Sequence, residues 1–479
     1  MGNLHRLRRP ARGELIHAAV VAAATSLLFV AVYGGCSWLT SLRSDVGTWV
    51  FNWEKAMPFV PAMIIPYMSI DLFFVGAPFV CTDRAERRLY AKRITFAILV
   101  AGAFFLLMPL QFAFLRPVPE GWTGPIFSFL HGFDRPYNMF PSLHIALRTI
   151  LADTYARHTR GALRWVVHVW FSLIGFSTVL TWQHHVADVA GGFVLALFCF
   201  YLIREPAART RSVNYRVGFY YICGAGILFL AALLLKGWWL LLLWPAVAFG
   251  LTGGAYFGLV PGVFRKEEGL LPLSTRCLMA PVLLGHRLSL RYYQRRAEPW
   301  NEILPDLWMG RRLDEKEAQQ ALRLGITAVL DLTSEFSEPP AFRSIRYLNL
   351  PILDLTAPDP SQLEAAVEFI DRERQKGIVY VHCKIGYSRS AAAVGTYLCA
   401  TGIAGTADDA IAIMRLARPS LIVRAEARRA MLSAKDLPGV FAGPLSCEPE
   451  TSLPPSGKAT GQREIVGTEE TPAWLNCRH

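Results

Sequence analysis

The sequence predicts a polytopic α-helical membrane domain of about eight spans, followed by a cytoplasmic α/β domain. Three observations lead there. Of the 479 residues 53% are hydrophobic, and mean hydropathy is +0.31, which is high for a soluble chain. Long apolar runs crowd the stretch up to residue 260 and stop there. Beyond residue 300, short β-branched runs alternate with helical stretches. The boundaries read 1–260 for the membrane domain, 261–299 for a basic juxtamembrane linker, 300–436 for the α/β domain and 437–479 for a disordered tail.

The apolar runs lie at about 15–38, 58–80, 94–115, 141–156, 165–182, 186–203, 217–235 and 238–260. Each approaches the ~20 residues that a helix needs to cross the hydrocarbon core, except the short, polar-tipped fourth. The first follows a basic start without a cleavage pattern, so it reads as an anchor. Lys236-Gly237 joins the last two as a tight hairpin. Basic residues mark alternate loops: Arg6, Arg8, Arg9 and Arg12; then Arg84, Arg87, Arg88, Lys92 and Arg93; then Arg157, Arg160 and Arg164; then Arg204, Arg209, Arg211 and Arg216. By the positive-inside rule those loops and both termini are cytoplasmic.

Net charge is +12. With the cations set between apolar runs and no nucleic-acid-binding motif, that charge points to a membrane surface. Nine cysteines show neither zinc-ligand nor disulfide-framework spacing. In the linker, Arg287, Arg291, Arg295 and Arg296 alternate with Leu288, Leu290, Tyr292 and Tyr293. That spacing fits a basic amphipathic helix on anionic headgroups, and equally a solvated connector.

In the α/β domain, 326–332 and 346–353 read as strands, and Asp359-Pro360 caps a helix that runs to about residue 375. Helices are expected over 407–418 and 424–434. The centre of the domain is Val-Tyr-Val-His-Cys-Lys-Ile-Gly-Tyr-Ser-Arg-Ser, residues 379–390. A buried strand runs into a tight loop and then a helix N-terminus, so loop N–H groups and the helix dipole converge on one anion. Cys383 lies where that field lowers a thiol pKa and makes a thiolate nucleophile. Arg389 can hold two phosphate oxygens in its planar fork. Ser390 can donate to the departing sulfur. A working thiolate needs a reducing compartment, which agrees with the cytoplasmic placement.

His382-Cys383-x5-Arg389-Ser390 resembles the signature of the cysteine-dependent dual-specificity phosphatases, and the resemblance covers about 300–434. It implies a phosphate loop that includes His382, Lys384, Gly386, Ser388 and Ser390. It also implies a general acid some thirty residues before the cysteine: Asp354, since the helix cap accounts for Asp359. Lys384 looks like the lipid-directed members, whereas Gly-Tyr-Ser-Arg-Ser looks like the phosphoprotein-directed ones.

The membrane domain carries a second constellation. Pro-Ser-Leu-His, ending at His144, opens the fourth span, and Ser177-Thr178 precede His184 and Asp188 at the sixth. By the topology above both lie on the non-cytoplasmic side. His184 and Asp188 are four apart and share a helix face. The Asp can fix the imidazole as a nucleophile at phosphorus, and His144 can protonate the leaving oxygen. These residues resemble the type 2 phosphatidic acid phosphatase superfamily, most of all its inositol phosphorylceramide synthase-like branch, over about 50–205. The resemblance implies a six-helix lipid phosphatase-like core, with His184 as phosphohistidine nucleophile, Asp188 as its partner and His144 as the acid. Ser142, Arg148 and Arg116 are implied to bind substrate. Pro109 stands where the superfamily has a Lys, and Thr178 where it has an Arg. Two phosphate-binding cations are thus missing, which favours a phosphodiester or headgroup-transfer substrate over a monoester; Arg148, one turn below His144, is placed to compensate in part.

The expected protein is therefore an enzyme of a bacterial inner membrane with two phosphate-ester sites on opposite faces. It needs no cofactor or metal, and its partners are membrane phospholipids or phosphorylated lipid headgroups. Two alternatives stay open: a membrane-anchored phosphatase of phosphoproteins, and a lipid-binding scaffold with a degenerate outer site.

Overall fold

In the computed structural model, residues 12–204, 213–235 and 237–433 are described. Among them six helices are long and apolar enough to cross a membrane. They are α1 (Arg12–Ser41), α2 (Pro61–Val80), α3 (Arg84–Leu107), α6 (Gly161–Leu180), α8 (Tyr215–Leu235) and α9 (Trp239–Tyr256). Between them lie α4 (Gly124–Phe133), α5 (Leu143–Arg157) and α7 (Val186–Leu202). All eight expected runs carry a helix, but the fourth and sixth, α5 and α7, have only 15 and 17 residues. Arg6, Arg8, Arg9, Arg209, Arg211, Lys236 and the tail from 437 lie outside the described residues.

The third run is shifted from its expected bounds. The basic stretch assigned to a loop is the first part of α3, because Asp83 caps it by accepting the Glu86 N–H at 2.8 Å. Arg84 and Arg87 there pair with Glu14 of α1. Helix α4 was not expected from the sequence.

The membrane core packs small and large residues together: Ala97, Ala101 and Phe105 of α3 meet Leu143, Ala146, Leu147 and Ile150 of α5. Gly192 of α7 sets the closest approach. A Cβ there would lie 2.4 Å from the Ser142 carbonyl oxygen and 2.7 Å from Ile145 Cβ. That closeness lets the Ser142 N–H reach the Asp188 carbonyl at 2.9 Å, so the starts of α5 and α7 are tied.

The linker is helical and partly packed on both of its neighbours. It forms α10 (Leu273–Leu278) and α11 (Ala280–Gln294). Val263, Phe264, Leu278, Met279, Val282 and Leu283 share a core with Tyr201 of α7 and with Ala248 and Ala255 of α9. Leu290 packs on Phe336 and Ile385 of the α/β domain. The four arginines 287, 291, 295 and 296 stay exposed, and so do Leu288, Tyr292 and Tyr293, whereas Val282, Leu283 and Leu290 are buried against protein.

The α/β domain is a five-stranded sheet in the order β1-β2-β5-β3-β4, with β1 (Trp300–Leu304), β2 (Leu307–Arg311), β3 (Ile326–Thr333), β4 (Arg346–Ile352) and β5 (Ile378–Cys383). Only β1 and β2 pair antiparallel. Strand β5 is central and buried throughout from Val379 to Cys383, as its continuous apolar run requires. Helices α14 (Pro360–Arg374) and α15 (Ser388–Ala400) pack against it; α12 (Glu315–Arg323), α13 (Pro340–Arg343), α16 (Ala407–Ala417) and α17 (Ala425–Ser433) complete the domain. Asp359 caps α14, accepting the Gln362 N–H at 2.9 Å.

Lys266 of the linker buries its side chain against Asp331 of β3, also fully buried, and donates to the Thr333 carbonyl at 3.0 Å. Replacing Lys266 with Met should remove the close cation from the buried Asp331 carboxylate and leave it to the Thr333 and Tyr347 hydrogen bonds. The expected cost is about 3–5 kcal/mol, read as a lower Tm of the detergent-solubilised chain. A Tm within a degree of wild type would contradict this role.

Candidate active sites

The Cys383 site lies at the carboxyl ends of the parallel strands, where an open α/β sheet presents its ligands. Cys383 closes β5 and is 3% exposed. The loop that follows turns at Gly386, whose φ is +77°. A Cβ there would sit 2.4 Å from the Gly310 carbonyl carbon, so only glycine lets the loop lie against β2. Arg418, buried and not found from the sequence, donates to the Ile385 carbonyl at 3.0 Å and holds the loop from behind. Burial raises the Cys383 pKa. The Arg389 guanidinium, the Ser390 hydroxyl and the N–H groups of Ser390 and Tyr387 outweigh it and bring the thiol below its ordinary value.

Arg389 is fully enclosed. It grips Glu335 with both terminal nitrogens, at 2.8 and 3.1 Å, and donates to Asp354 at 3.1 Å and to the Ile352 carbonyl at 2.8 Å. Lys384 donates to the other Asp354 oxygen at 3.0 Å. Burial raises the Asp354 pKa, but Arg389 and Lys384 prevail and hold the carboxyl well below its usual range. The neighbouring Leu355 has a left-handed backbone, φ +60°. For a non-glycine that costs about 1–3 kcal/mol and persists only where surroundings over-determine it.

His382 does not line the loop as expected. Its ring is fully buried behind the cysteine, 3.3 Å from Glu338 and 3.9 Å from Asp331. Burial disfavours its charge, yet those two carboxylates raise its pKa. Ser388 lies at the start of α15, and its hydroxyl accepts the Arg424 N–H at 3.3 Å. Glu335 was missed because its loop, Ser-Glu-Phe-Ser-Glu-Pro-Pro, looks like any acidic turn until β3 and β5 are set side by side. His286 of α11 was missed for the same reason; it lies with Glu335 and Asp354 in a group whose ligand atoms fall within 4.8 Å. Asp331, Glu338 and His382 form a second such group. In both, carboxylates already hold a protein cation: Arg389 in one, Lys266 in the other.

At the other site, His144 and His184 line one cavity of about 340 Å³ between α1, α2, α4 and α5. His144 sits in the first turn of α5 and stacks on Tyr67, ring centres 4.3 Å apart. His184 precedes α7, with Nδ1 3.7 Å from Asp188 Oδ2. His144 Nε2 and His184 Nδ1 are buried and accept or donate no hydrogen bond among the described residues. The three expected residues thus come together, but Asp188 is pulled aside: its Oδ2 accepts the His185 N–H at 2.9 Å. His185 is itself held by Glu54 at 3.0 Å and accepts the Ala113 N–H at 3.1 Å. Glu54 was missed by the sequence reading, since nothing local marks it as a helix-start partner of a residue 131 positions on.

Three residues expected to bind substrate are engaged elsewhere. Ser142 caps α5, accepting the Ile145 N–H at 3.3 Å. Arg116 donates to the Asp134 carbonyl at 3.0 Å and lies 3.8 Å from its carboxylate. Arg148 turns to the Phe171 carbonyl. The histidine cavity is at the N-terminal end of α7, whereas Tyr201 near the C-terminal end donates to the linker Val263 carbonyl at 2.7 Å. At 1.5 Å per residue that helix separates the two ends by about 25 Å.

Comparisons with known proteins divide the chain in the same way. Residues 307–436 match the family model of the dual specificity phosphatase catalytic domain, and residues 40–202 that of the PAP2 superfamily. The chain is 27% identical over 246 residues to dual specificity protein phosphatase 8 of Mus musculus, covering 47% of this chain and 34% of that protein. It is 36% identical over 122 residues to dual specificity protein phosphatase 12 of Mus musculus, covering 25% and 36%. It thus spans about a third of the length of these two relatives. Dual specificity protein phosphatase 22-B of Danio rerio is 31% identical over 121 residues, covering 25% and 64%. Among solved structures, the human tyrosine phosphatase-like serine/threonine/tyrosine-interacting protein aligns at 28% identity over 29% of this chain and 96% of its own, with a TM-score of 0.27. The chain therefore carries one stretch that matches the PAP2 superfamily, residues 40–202, and one that matches the dual specificity phosphatase catalytic domain, residues 307–436.

Proposed function

We propose that the chain is a membrane-bound enzyme of phospholipid metabolism with a phosphate-ester site on each face of the bilayer. The inner site removes phosphate from lipid headgroups. One observation carries the lipid reading: Tyr256, which ends α9, reaches the backbone of Asp354 at 2.7 Å. A catalytic loop in contact with a membrane-helix end works within the headgroup layer, where lipid substrates are concentrated.

In the reaction, the Cys383 thiolate attacks phosphorus while the bond to the leaving alcohol breaks. Asp354 gives that alcohol its proton. Water then attacks the phosphocysteine, Asp354 takes a proton from it, and phosphate and thiolate are released. Loop N–H groups and Arg389 stabilise the equatorial oxygens throughout. For this Asp354 must be protonated, and its ties to Arg389 and Lys384 oppose that. An incoming phosphate dianion draws both cations to itself and adds negative charge beside the carboxyl, which raises its pKa on binding. Lys384→Gln removes one cation that favours the carboxylate. The alkaline limb of the kcat profile, where the acid loses its proton, is therefore expected to move to higher pH. A limb that stays or moves down contradicts the role of Asp354.

At the outer site His184 is the nucleophile, Asp188 its partner and His144 the acid. The cations Arg116 and Arg148 are spent on protein carbonyls. This supports a substrate of low charge, a phosphodiester in a headgroup transfer, as in the inositol phosphorylceramide synthase-like branch. The distribution of arginines supports a place for this site on the non-cytoplasmic face, taken here as the periplasmic face of a bacterial inner membrane. A second reading, a membrane-anchored protein phosphatase, draws on the relatives, which are named protein phosphatases.

The test is phosphate release in mixed micelles by wild type and Cys383→Ser, with phosphatidylglycerophosphate, phosphoinositides, phosphatidic acid and a phosphotyrosine peptide. Cys383-dependent release from a lipid, well above the peptide, is expected. Release from the peptide alone would replace the lipid reading with the second one.

A further inference from the structure

Helices α8 and α9 lie outside both family matches, which end at residue 202 and begin again at residue 307. Their ends nevertheless meet the loop that carries Asp354. Tyr256, the last residue of α9, donates its hydroxyl to the Asp354 carbonyl at 2.7 Å. Asn214, just before α8, donates its side-chain amide to the next carbonyl, that of Leu355, also at 2.7 Å. The two holders are themselves tied, since the Asn214 N–H donates to the Tyr256 carbonyl at 3.0 Å. Asn214 is further fixed by its side-chain oxygen, which accepts the Val217 N–H at 3.2 Å in the first turn of α8. Leu353, two residues before Leu355, packs into the cluster formed by α7, α9 and the linker.

Two successive carbonyls of the acid loop are thus held by a hydrogen-bonded pair on the membrane helices. The held segment includes the left-handed Leu355, a backbone state that needs external restraint. Asp354 itself is aimed by that backbone. A general acid acts only when its carboxyl is within hydrogen-bond reach of the leaving oxygen, and a displacement near 1 Å costs on the order of a hundredfold.

We propose that Tyr256 and Asn214 are positioning residues for Asp354, so that helices belonging to neither family domain set the efficiency of the inner site. This rests on the reading of Cys383 and Asp354 given above. The helices do more than anchor: what shifts the end of α9 against the start of α8 moves the proton donor.

The experiment uses the full chain in detergent micelles and two phosphate monoesters, one with an acidic phenol leaving group and one with an alkyl leaving group. Only the alkyl oxygen needs a proton as it departs, so the pair separates proton donation from general damage. Tyr256→Phe and Asn214→Ala are each expected to lower kcat/KM for the alkyl ester by about tenfold or more, and for the aryl ester by less than about threefold. In an Asp354→Asn background, Tyr256→Phe is expected to add nothing, the mark of two residues acting as one unit. Equal losses on both esters, or no loss on the alkyl ester, would overturn the proposal and leave the inner-site reading intact. Turnover by Cys383→Ser at the wild-type rate would overturn the reading itself, and the proposal with it.

Discussion

Arg389→Lys is expected to lower kcat/KM at the Cys383 site by about 10³-fold, although the charge is kept. The guanidinium makes four strong contacts at once: both Glu335 oxygens, Asp354 and the Ile352 carbonyl. A lysine has no planar fork and can satisfy Glu335 or reach the phosphate, not both. Removing the charge is a different experiment. In Arg389→Met, Glu335 becomes an unpaired buried carboxylate, and the expected loss of stability is about 3–5 kcal/mol. Adding Glu335→Leu should then restore most of the Tm and none of the activity. Steady-state hydrolysis and thermal unfolding of the three variants decide the matter. If Arg389→Lys stays within tenfold of wild type, the guanidinium does not hold the transferring phosphoryl group.

The Cys383 site was legible in the sequence where one short segment carries the whole device. Residues 378–390 contain the strand, the turn and the helix start, so local patterning sufficed to find Cys383, Arg389 and Gly386. Asp354 could be separated from Asp359 because the latter sits in a cap sequence, and Asp359 does cap α14. What stayed hidden are partners brought in by topology. Glu335 follows β3 and meets Arg389 only because β3 and β5 are neighbours. His382 was misplaced because a residue next to a nucleophile on a strand points to the opposite side, here toward Glu338 and Asp331. Lys266, His286 and Arg418 lie 65 or more positions from the groups they serve, or in segments that read as bland linker and helix. In the membrane domain, hydropathy located every described helix except α4. It missed where α3 begins because the polar first turns of a capped helix and a basic loop have the same composition. The engagement of Arg116 with Asp134 was equally out of reach, since nothing near Asp134 marks it as an arginine's partner.

The second large effect concerns the histidine cavity. His184→Ala is expected to abolish turnover at the histidine site, a loss of about 10³-fold or more, because neither nearby imidazole is free to replace it: His144 serves as the acid, and His185 is held by Glu54 and the Ala113 N–H. Asp188→Asn should cost far less, about tenfold, as its carboxylate is 3.7 Å from the ring and already bonded to the His185 N–H. If the two losses were equal, Asp188 would be an integral part of the nucleophile rather than a loose partner. The length of α7, about 25 Å, stands between this cavity and the linker end, so the sites share no side chain. Distant sites behave additively. His184→Ala should accordingly leave Cys383-dependent phosphate release within about twofold of wild type, and Cys383→Ser should leave outer-site transfer equally unaffected. Both are measured on one preparation with a diester and a monoester lipid. A His184→Ala chain that also loses hydrolysis of the added monoester while staying folded would contradict this independence, and would mean that the α7–linker–Leu353 packing couples the two sites.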